Sequence, residues 1–341
     1  MSVSTTRLEL GRDLEATVAT LSGAQCESGM IPWYEGGHCD PWNHVEVAMA
    51  LSAGGLLEEA GRALSWLAAV QLENGAWCNY FWPDGSVKDH RLDSNVCAYP
   101  AAGLWQYYLA SSDAGAVAEF FPMVDRAISF VCSLQRPGGE LVWSVRPDGR
   151  PESYALLTGS ASAYFSLRCA LFLAEVLGVE RPGWEAAAGR LAHAVVHRTE
   201  RFAPKHRYAM DWYYPVLTSA CDRESATARM NARSVEFVME GFGVRCVRDR
   251  PWVTTAETAE CAIAYVLSGE EERAEDLLSW LEDQREEDGR YTTGRVYPER
   301  ASFPAGERST YGAAAVVLAW DALRGTSPTS GLFSGRSGPR A

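Results

Sequence analysis

The sequence lacks the features that mark secreted, membrane-bound or nucleic-acid-binding proteins. Its N-terminal stretch, MSVSTTRLELGRDLEATVATL, carries charges throughout and has no uninterrupted apolar run, so neither a signal peptide nor a membrane anchor is predicted. No basic stripe is visible, and the formal net charge of -13 argues against nucleic acid as a partner. These absences predict a cytoplasmic protein without a transmembrane segment.

The common cofactor and metal signatures are missing as well. There is no glycine-rich phosphate loop, no G-x-S-x-G and no dinucleotide fingerprint. The nine cysteines show no C-x-x-C spacing, which favours reduced, buried thiols. His38, Cys39, Asp40 and His44 are of metal-ligand type, but their spacing fits no standard zinc pattern. We therefore predict no metal site and no cofactor, with magnesium required only if the substrate is a diphosphate.

What the chain does have is length and apolar content. With 341 residues, 47% of them hydrophobic, it can bury a large core. We predict one domain over residues 1–324. The remaining residues, 325–341, are rich in Gly, Ser, Pro and Arg and are predicted to form a disordered C-terminal tail.

One stretch, residues 71–110, shows the plan of the whole chain. Gln71, Gly75 and Trp77 follow an apolar helix, and a loop with Trp82 leads to the cluster Asp93-Ser94-Asn95. The helix that opens there has no charged residue from 96 to 110, which is typical of a helix buried on nearly all sides. Pro100 is predicted to kink or loosen its start. The start of this inner helix is a candidate pocket floor.

The same plan recurs six times, with a mixed-charge helix, a long loop and then an apolar helix. This pattern predicts an all-α fold, an (α/α)6 toroid of six helical hairpins in which the apolar helices form the inner layer. The predicted outer helices cover 8–21, a run ending before 71, 116–134, 184–197, 223–239 and 271–281. The predicted inner helices begin at 40, 93, 159, 210, 255 and 309.

The inner helices of such a barrel all start on one face, so the loops before them surround one funnel. Polar groups at the starts of otherwise apolar helices are the main functional signal in the sequence. The predicted rim contains Asp40, Trp42, His44, Glu46, Asp93, Asn95, Ser160, Tyr208, Asp211, Trp212, Thr255, Glu257, Glu260, Arg308, Ser309 and Tyr311.

The fragments LSGAQCESGMIPWY, LAAVQLENGAWCNY and LQRPGGELVWSV, with the weaker LEDQREEDGRYTTG, resemble the QW-like repeats of the terpenoid cyclase and protein prenyltransferase toroids. This resemblance covers most of the chain as architecture. It implies an aromatic-lined central cavity for an isoprenoid.

Within that superfamily the specific motifs match only in part. Leu92-Asp93-Ser94-Asn95 keeps one carboxylate of the D-x-D-D found in class II terpene cyclases, so Asp93 alone would be the acid. The D-x-C and later His of the prenyltransferase zinc site are absent from the matching regions, 257–261 and 308–311, as is the D-D-x-x-D of class I synthases. Protein farnesylation is therefore not expected.

Our first hypothesis is an isoprenoid-processing, cyclase-like enzyme that uses acid-initiated chemistry. Asp93 is the predicted acid, with Glu257 or Asp211 as a supporting carboxylate; a carboxyl among aromatic rings keeps its proton because burial raises its pKa. Aromatic faces stabilise carbocations and also stack on sugars. The predicted substrate-binding residues are Trp42, His44, Glu46, Trp77, Trp82, Asn95, Tyr99, Trp212, Tyr213, Arg308 and Tyr311.

Two alternatives remain open. The first is a carbohydrate-active six-hairpin enzyme in which Asp93, Asp211 and Glu257 supply the acid and base. The second is a noncatalytic scaffold that binds a lipid or peptide; then Asp93 is a plain N-cap, and Glu257 and Glu260 pair with Arg308 or Arg168. The predicted partner is a small molecule, isoprenoid or saccharide, and the sequence does not indicate the oligomeric state.

Overall fold

The structure is a computed structural model that describes residues 12–334, with side chains from Leu14 onward. Its first layer consists of inner helices that are buried along almost their whole length. The second of them is broken where Pro100 lacks an amide proton, as predicted. The inner helices are α2 (Pro41–Ala53), α4 (Ser94–Ala98) with α5 (Pro100–Ser111), α7 (Leu157–Val176), α9 (Met210–Leu217), α11 (Thr255–Ser268) and α13 (Thr310–Arg324).

The second layer consists of amphipathic helices that bury one face only. They are α1 (Arg12–Gly23), α3 (Leu57–Val70), α6 (Ala114–Ser133), α8 (Pro182–His197), α10 (Arg223–Phe237) and α12 (Glu271–Trp280). The predicted residues 8–11 of the first helix lie outside the described part of the chain.

The inner helices pack in a closed ring. Each contacts the next in chain order, and α13 packs on α2 to complete the circle. All six predicted hairpins are therefore present, and the predicted (α/α)6 toroid is confirmed. Among residues 12–334, the structure contains no helix of sufficient length and apolarity to pass through a lipid bilayer.

The Gln and Gly of each repeat form a joint between neighbouring hairpins. The side-chain nitrogen of Gln71 donates to the carbonyls of Gly75 and of Met123 in the next outer helix, while Arg126 holds the other end of the Gln71 amide. Gly75 has φ +86°, and a Cβ there would overlap the carbonyl of Arg126. Equivalent joints occur at Gln25 with Arg62 and at Gln135 with Arg190.

Short strands connect the loops around the funnel. They are β1 (Tyr80–Phe81), β2 (Val87–Asp89), β3 (Leu92–Asp93), β4 (Ser144–Val145), β5 (Val238–Met239), β6 (Gly243–Val244), β7 (Trp252–Thr254), β8 (Gly294–Val296) and β9 (Ala301–Ser302). Antiparallel pairs are β1–β2, β3–β4, β5–β6, β7–β8 and β8–β9. Cys39 bridges to Phe81, and the amide of Thr310 donates to the carbonyl of Trp33. These bonds hold the starts of the inner helices in fixed relation.

The segment predicted as a tail folds back in its described part, residues 325–334. Asp321 accepts hydrogen bonds from Ser327 and Thr329, which turns the chain under the barrel. Phe333 then stacks on Phe165 with ring centroids 5.2 Å apart. Buried aromatic contact keeps these residues in place despite their polar composition. Residues 335–341 lie outside the described part of the chain.

Candidate active site

Two aspartates cap neighbouring inner helices at the mouth of the barrel. Asp40 accepts from the Asn43 amide (2.9 Å) and the Asn43 side-chain nitrogen (2.6 Å). Asp93 accepts from the amides of Asn95 and Val96 at 2.8 and 3.4 Å. Burial raises the pKa of Asp40 to about 7, with a further contribution from the charge of Asp93. Burial likewise raises the pKa of Asp93, to about 6. Both carboxyls therefore hold protons to higher pH than an exposed aspartate does.

Glu257 lies in the first turn of α11, another inner helix that starts at the mouth. Its side chain is buried, and its carboxylate accepts a hydrogen bond from the hydroxyl of Thr254 just before the helix. Burial raises the pKa of Tyr311 on α13, and the charge of Glu257 adds to this shift. Helix α13 lies between α11 and α2 in the ring. Glu257 and Asp40 thus flank α13.

Asp211 lies in the first turn of α9 and accepts a hydrogen bond from the hydroxyl of Thr158 at 2.8 Å. Burial raises its pKa, and Arg229 and Arg233 partly offset this effect. The guanidinium of Arg229 also binds the backbone carbonyl of Asp211. The carboxylate of Asp211 thus faces α7, while its backbone is held by the outer helix α10.

An aromatic group lies between α2, α4 and α13. Trp42 stacks on Tyr99 with centroids 4.6 Å apart and contacts Tyr311 edge to face at 5.8 Å. Tyr311 also contacts Trp33 at 5.9 Å. The predicted residues Trp42, Tyr99 and Tyr311 therefore lie together, next to the helix starts that carry the carboxylates.

Two more carboxyls lie deeper, on the barrel axis. Glu46 accepts the hydroxyl of Tyr99, and Glu260 accepts those of Tyr213 and, at 2.9 Å, Tyr214. Burial raises the pKa of Glu46 to about 7 and that of Glu260 well above its usual value, and their mutual repulsion adds to the latter. Tyrosine hydroxyls therefore hold Glu260, in place of the salt bridge to Arg308 or Arg168 considered from the sequence.

Three predicted substrate-binding residues are instead buried structural groups. Both ring nitrogens of His44 are used, one by the Ile31 amide and the other by the Ala63 carbonyl, and burial lowers its pKa to about 4. The indole of Trp77 donates to the carbonyl of Leu67, and that of Trp212 to the carbonyl of Arg229. These three side chains are buried and bonded to backbone groups, and their assignment to substrate binding stays a prediction.

The remaining predicted residues lie around the funnel. Trp82 is exposed on a loop beneath the ammonium of Lys88. Arg308 forms an ion pair with Glu286 at the rim. The side-chain oxygen of Asn95 is buried, and within the described residues it has no hydrogen-bond partner, which makes it a free acceptor beside Asp93.

The sequence placed Asp40 on the rim but did not include it among the catalytic residues. The signal was the internal repeat, because Asp40 holds the same capping position in the first hairpin that Asp93 holds in the second. Tyr80 was missed altogether. Burial and the charges of Asp40 and Asp93 raise its pKa to about 12, which indicates that its hydroxyl lies near both carboxyls.

The fold is the (α/α)6 fold of six-hairpin glycosidases and sugar epimerases. A wild-type glycosidase superposes with a TM-score of 0.72 at 14% identity, over 97% of this chain and 100% of its own. A sugar epimerase from a ruminal bacterium gives 0.70 at 12% identity, over 89% and 95%. An alpha-amylase from Clostridium perfringens gives 0.67 at 9%, over 91% and 99%. At these identities the likeness shows the fold alone.

Sequence similarity gives the family. No protein-family model matches the chain. The MMP endo-(1,4)-3-O-methyl-alpha-D-mannosidase of Mycolicibacterium hassiacum is 47% identical over 324 residues, which are 95% of this chain and 89% of that protein. The chain belongs to the family of this mannosidase.

This membership overturns the predicted membership of the terpenoid cyclase and prenyltransferase superfamily. The predicted isoprenoid function and cyclase-like activity are wrong with it, and the carbohydrate alternative is favoured instead. The physical reason lies in the Gln71 and Gly75 joint, which fastens one hairpin to the next. Such repeats report how a helical toroid is assembled and carry no information about its substrate.

Proposed function

We propose that the protein is an endo-acting glycoside hydrolase that cleaves α-(1,4) linkages in a 3-O-methylmannose polysaccharide. The observation that carries the proposal is a proton-holding carboxyl at the start of α2 and a carboxylate at the start of α11, in a chain 47% identical to an endo-mannosidase. Glycoside hydrolysis needs such a pair, one group to protonate the leaving oxygen and one to activate water.

In the proposed reaction Asp40 is the general acid. Burial, with a smaller contribution from the charge of Asp93, raises its pKa to about 7, so part of the population holds a proton at neutral pH. It gives this proton to the glycosidic oxygen as the bond to the anomeric carbon breaks. Asp93, whose carboxylate is stabilised by two backbone amides, remains charged and faces the developing positive charge of the sugar ring.

Glu257 is the proposed general base. It removes a proton from the water that attacks the anomeric carbon. The hydroxyl of that water becomes the new anomeric hydroxyl of one fragment, and the proton from Asp40 gives the other fragment its free hydroxyl. Neighbouring helix axes lie about 8–10 Å apart, so helices two positions apart in a six-membered ring lie about 14–17 Å apart. We propose inversion of configuration, for which the carboxyls of Asp40 and Glu257 must be about 6.5–9.5 Å apart to admit a water.

The aromatic group of Trp42, Tyr99 and Tyr311 supports a methylated sugar as the substrate. Aromatic faces pack on the apolar faces of sugar rings, and methyl ethers add apolar surface to that contact. The free side-chain oxygen of Asn95 offers a hydrogen-bond acceptor to a hydroxyl in the same region.

The test is product analysis. Purified protein is incubated with α-(1,4)-linked 3-O-methylmannose oligosaccharides in 18O-labelled water, and products are followed by mass spectrometry and proton NMR. We expect internal cleavage, one 18O at each new reducing end and the β-anomer as the first product. Unmethylated α-(1,4)-linked mannooligosaccharides serve as the matched control. Intact methylmannose oligosaccharides after incubation with folded protein would refute the proposed function.

A further inference from the structure

A cleft of about 720 Å³ lies where the first hairpin meets the last. One wall is the end of α1 with the loop before α2, and the other is the loop before α13 with the first turn of that helix. Ser309 and Thr310 line it and directly precede Tyr311 of the aromatic group. The cleft, which we call the seam cleft, therefore shares a wall with the candidate active site.

The joint between hairpins is different beside the seam cleft. At the other joints described above, the glutamine nitrogen binds both its own loop and the next outer helix. At the seam the side-chain nitrogen of Gln284 is buried and, within residues 12–334, unbonded, and Thr17 of α1 binds the carbonyl of Gly289 instead. Thr310 of α13 forms a second tie, to the carbonyls of Pro32 and Trp33, and residues beside both ties line the seam cleft.

The lining of the seam cleft is apolar below and charged above. Leu21 and Ala313 are buried, and Pro32 lies beside them. At the upper edge, Arg290 forms ion pairs with Asp288 and the exposed Glu35. A partly methylated sugar presents the same mixture, because its methyl ethers are apolar and its free hydroxyls need polar partners. The volume lies in the range of sites that bury most of a ligand's surface.

We propose that the seam cleft binds the sugar units of the polysaccharide that lie beyond the cleavage point, so that the chain runs from the barrel mouth past Tyr311 into the cleft. This inference rests on the proposed function. Endo cleavage requires the enzyme to hold a chain that continues past the reacting unit, and an enclosed funnel alone has no place for it. Arg308, predicted from the sequence to bind substrate, is at the rim and also lines this cleft.

The test fills the cleft without touching the carboxylates. Gly23, the last residue of α1, lines the cleft, and a side chain there would meet nothing within 4 Å. Gly23→Trp therefore blocks the cleft. The matched control is Gly189→Trp on α8, where a side chain is equally unobstructed but lies in another hairpin. Tyr34→Ala, which removes an aromatic face from the cleft lining, is the second variant.

The first readout is kcat/KM for short and long methylmannose oligosaccharides. The second is calorimetric binding of the same oligosaccharides, measured with each cleft variant combined with Asp40→Asn so that the ligand is not cleaved. We expect Gly23→Trp to weaken binding and turnover of long chains about tenfold, with short chains and the Gly189→Trp control unchanged; a tenfold change corresponds to about 1.4 kcal/mol. Tyr34→Ala should show a smaller effect of the same kind. If both cleft variants treat long chains as the wild type does, the inference is wrong while the proposed function stands. If the wild type neither binds nor cleaves any of them, both fail.

Discussion

Asp40 and Asp93 cap adjacent inner helices, and the charge of Asp93 helps to hold a proton on Asp40. The two residues look alike in sequence, and both accept hydrogen bonds from backbone amides at the start of their helix. They differ in exposure, since Asp40 is buried and Asp93 is partly buried. Burial raises the pKa of both carboxyls, and we propose that Asp40 is the one that donates a proton.

This relationship predicts the alkaline limb of the pH profile. Activity that needs the proton on Asp40 falls as pH rises through about 7. Asp93→Asn removes the neighbouring charge, which lowers the pKa of Asp40 and moves the limb to lower pH. The measurement is kcat/KM against pH, with Asp84→Asn at an exposed turn as control. An unmoved limb in Asp93→Asn would mean that Asp93 does not act on the acid.

Glu46 predicts a pH dependence of stability. Its pKa is about 7 in the folded protein against 4.5 without burial, so the folded state binds more protons between these values. The free energy of unfolding is therefore fully retained below about 4.5 and falls as pH rises through 7, by at most about 1.4 kcal/mol per pH unit. Glu46→Gln, which still accepts the Tyr99 hydroxyl, should flatten this decline.

Urea denaturation at pH 5 and pH 8 measures the effect on stability. Glu58→Gln, on the exposed side of α3, is the control and should decline as the wild type does. Glu260 also titrates on the axis, so some decline remains in Glu46→Gln. A decline as steep in Glu46→Gln as in the wild type would show that Glu46 does not hold the proton.

At Gly75, we predict that adding a side chain lowers stability through a steric clash, and that this loss can be separated from the loss due to backbone strain. Gly75 and Gly85 both have positive φ, of +86° and +83°, but only at Gly75 would a Cβ overlap the Arg126 backbone. Gly75→Ala should destabilise by roughly 2 kcal/mol more than Gly85→Ala, because one hairpin must move from the next. Chemical denaturation compares the two variants. Equal losses of stability in the two variants would mean that the positive φ, and not the clash with Arg126, causes them.

The C-terminal segment predicts a contribution of Phe333 to stability. Its ring is buried against Phe165 at the end of the barrel away from the mouth, and the Ser219 hydroxyl binds its carbonyl at 2.6 Å. Phe333→Ala should cost about 3 kcal/mol. Val235→Ala, at a side chain that is 85% exposed, should be nearly neutral. A Phe333→Ala variant as stable as the wild type would mean that the segment is not held there in solution.

The helices could be predicted from the sequence because their patterns are local. The uncharged run after Asp93 became the inner helix α4 and α5, and Pro100 broke it where a missing amide proton requires. His44 shows the opposite case. A histidine among Asp40, Trp42 and Glu46 indicated chemistry, but its partners are backbone groups of Ile31 and Ala63 that no local pattern reveals.

The substrate class could not be predicted because the Gln, Gly and Trp repeat that suggested an isoprenoid has a structural role, which is to join neighbouring hairpins. Gln71, Gly75 and Arg126 satisfy backbone groups between hairpins, and any helical toroid must solve the same packing problem. The capping aspartates carried the better signal. Their distinction still required burial and the neighbouring charge, which appear only once the first two hairpins lie side by side.

The most direct measurement is the rate of methylmannose oligosaccharide hydrolysis by the wild type, Asp40→Asn and Glu257→Gln, with folding of each verified by circular dichroism. Removing a general acid or base typically lowers the rate by about 10²–10⁴-fold. We predict losses of that size in both variants and a much smaller loss in Asp211→Asn. Wild-type rates in folded Asp40→Asn or Glu257→Gln would contradict the assignment of this pair as the catalytic acid and base.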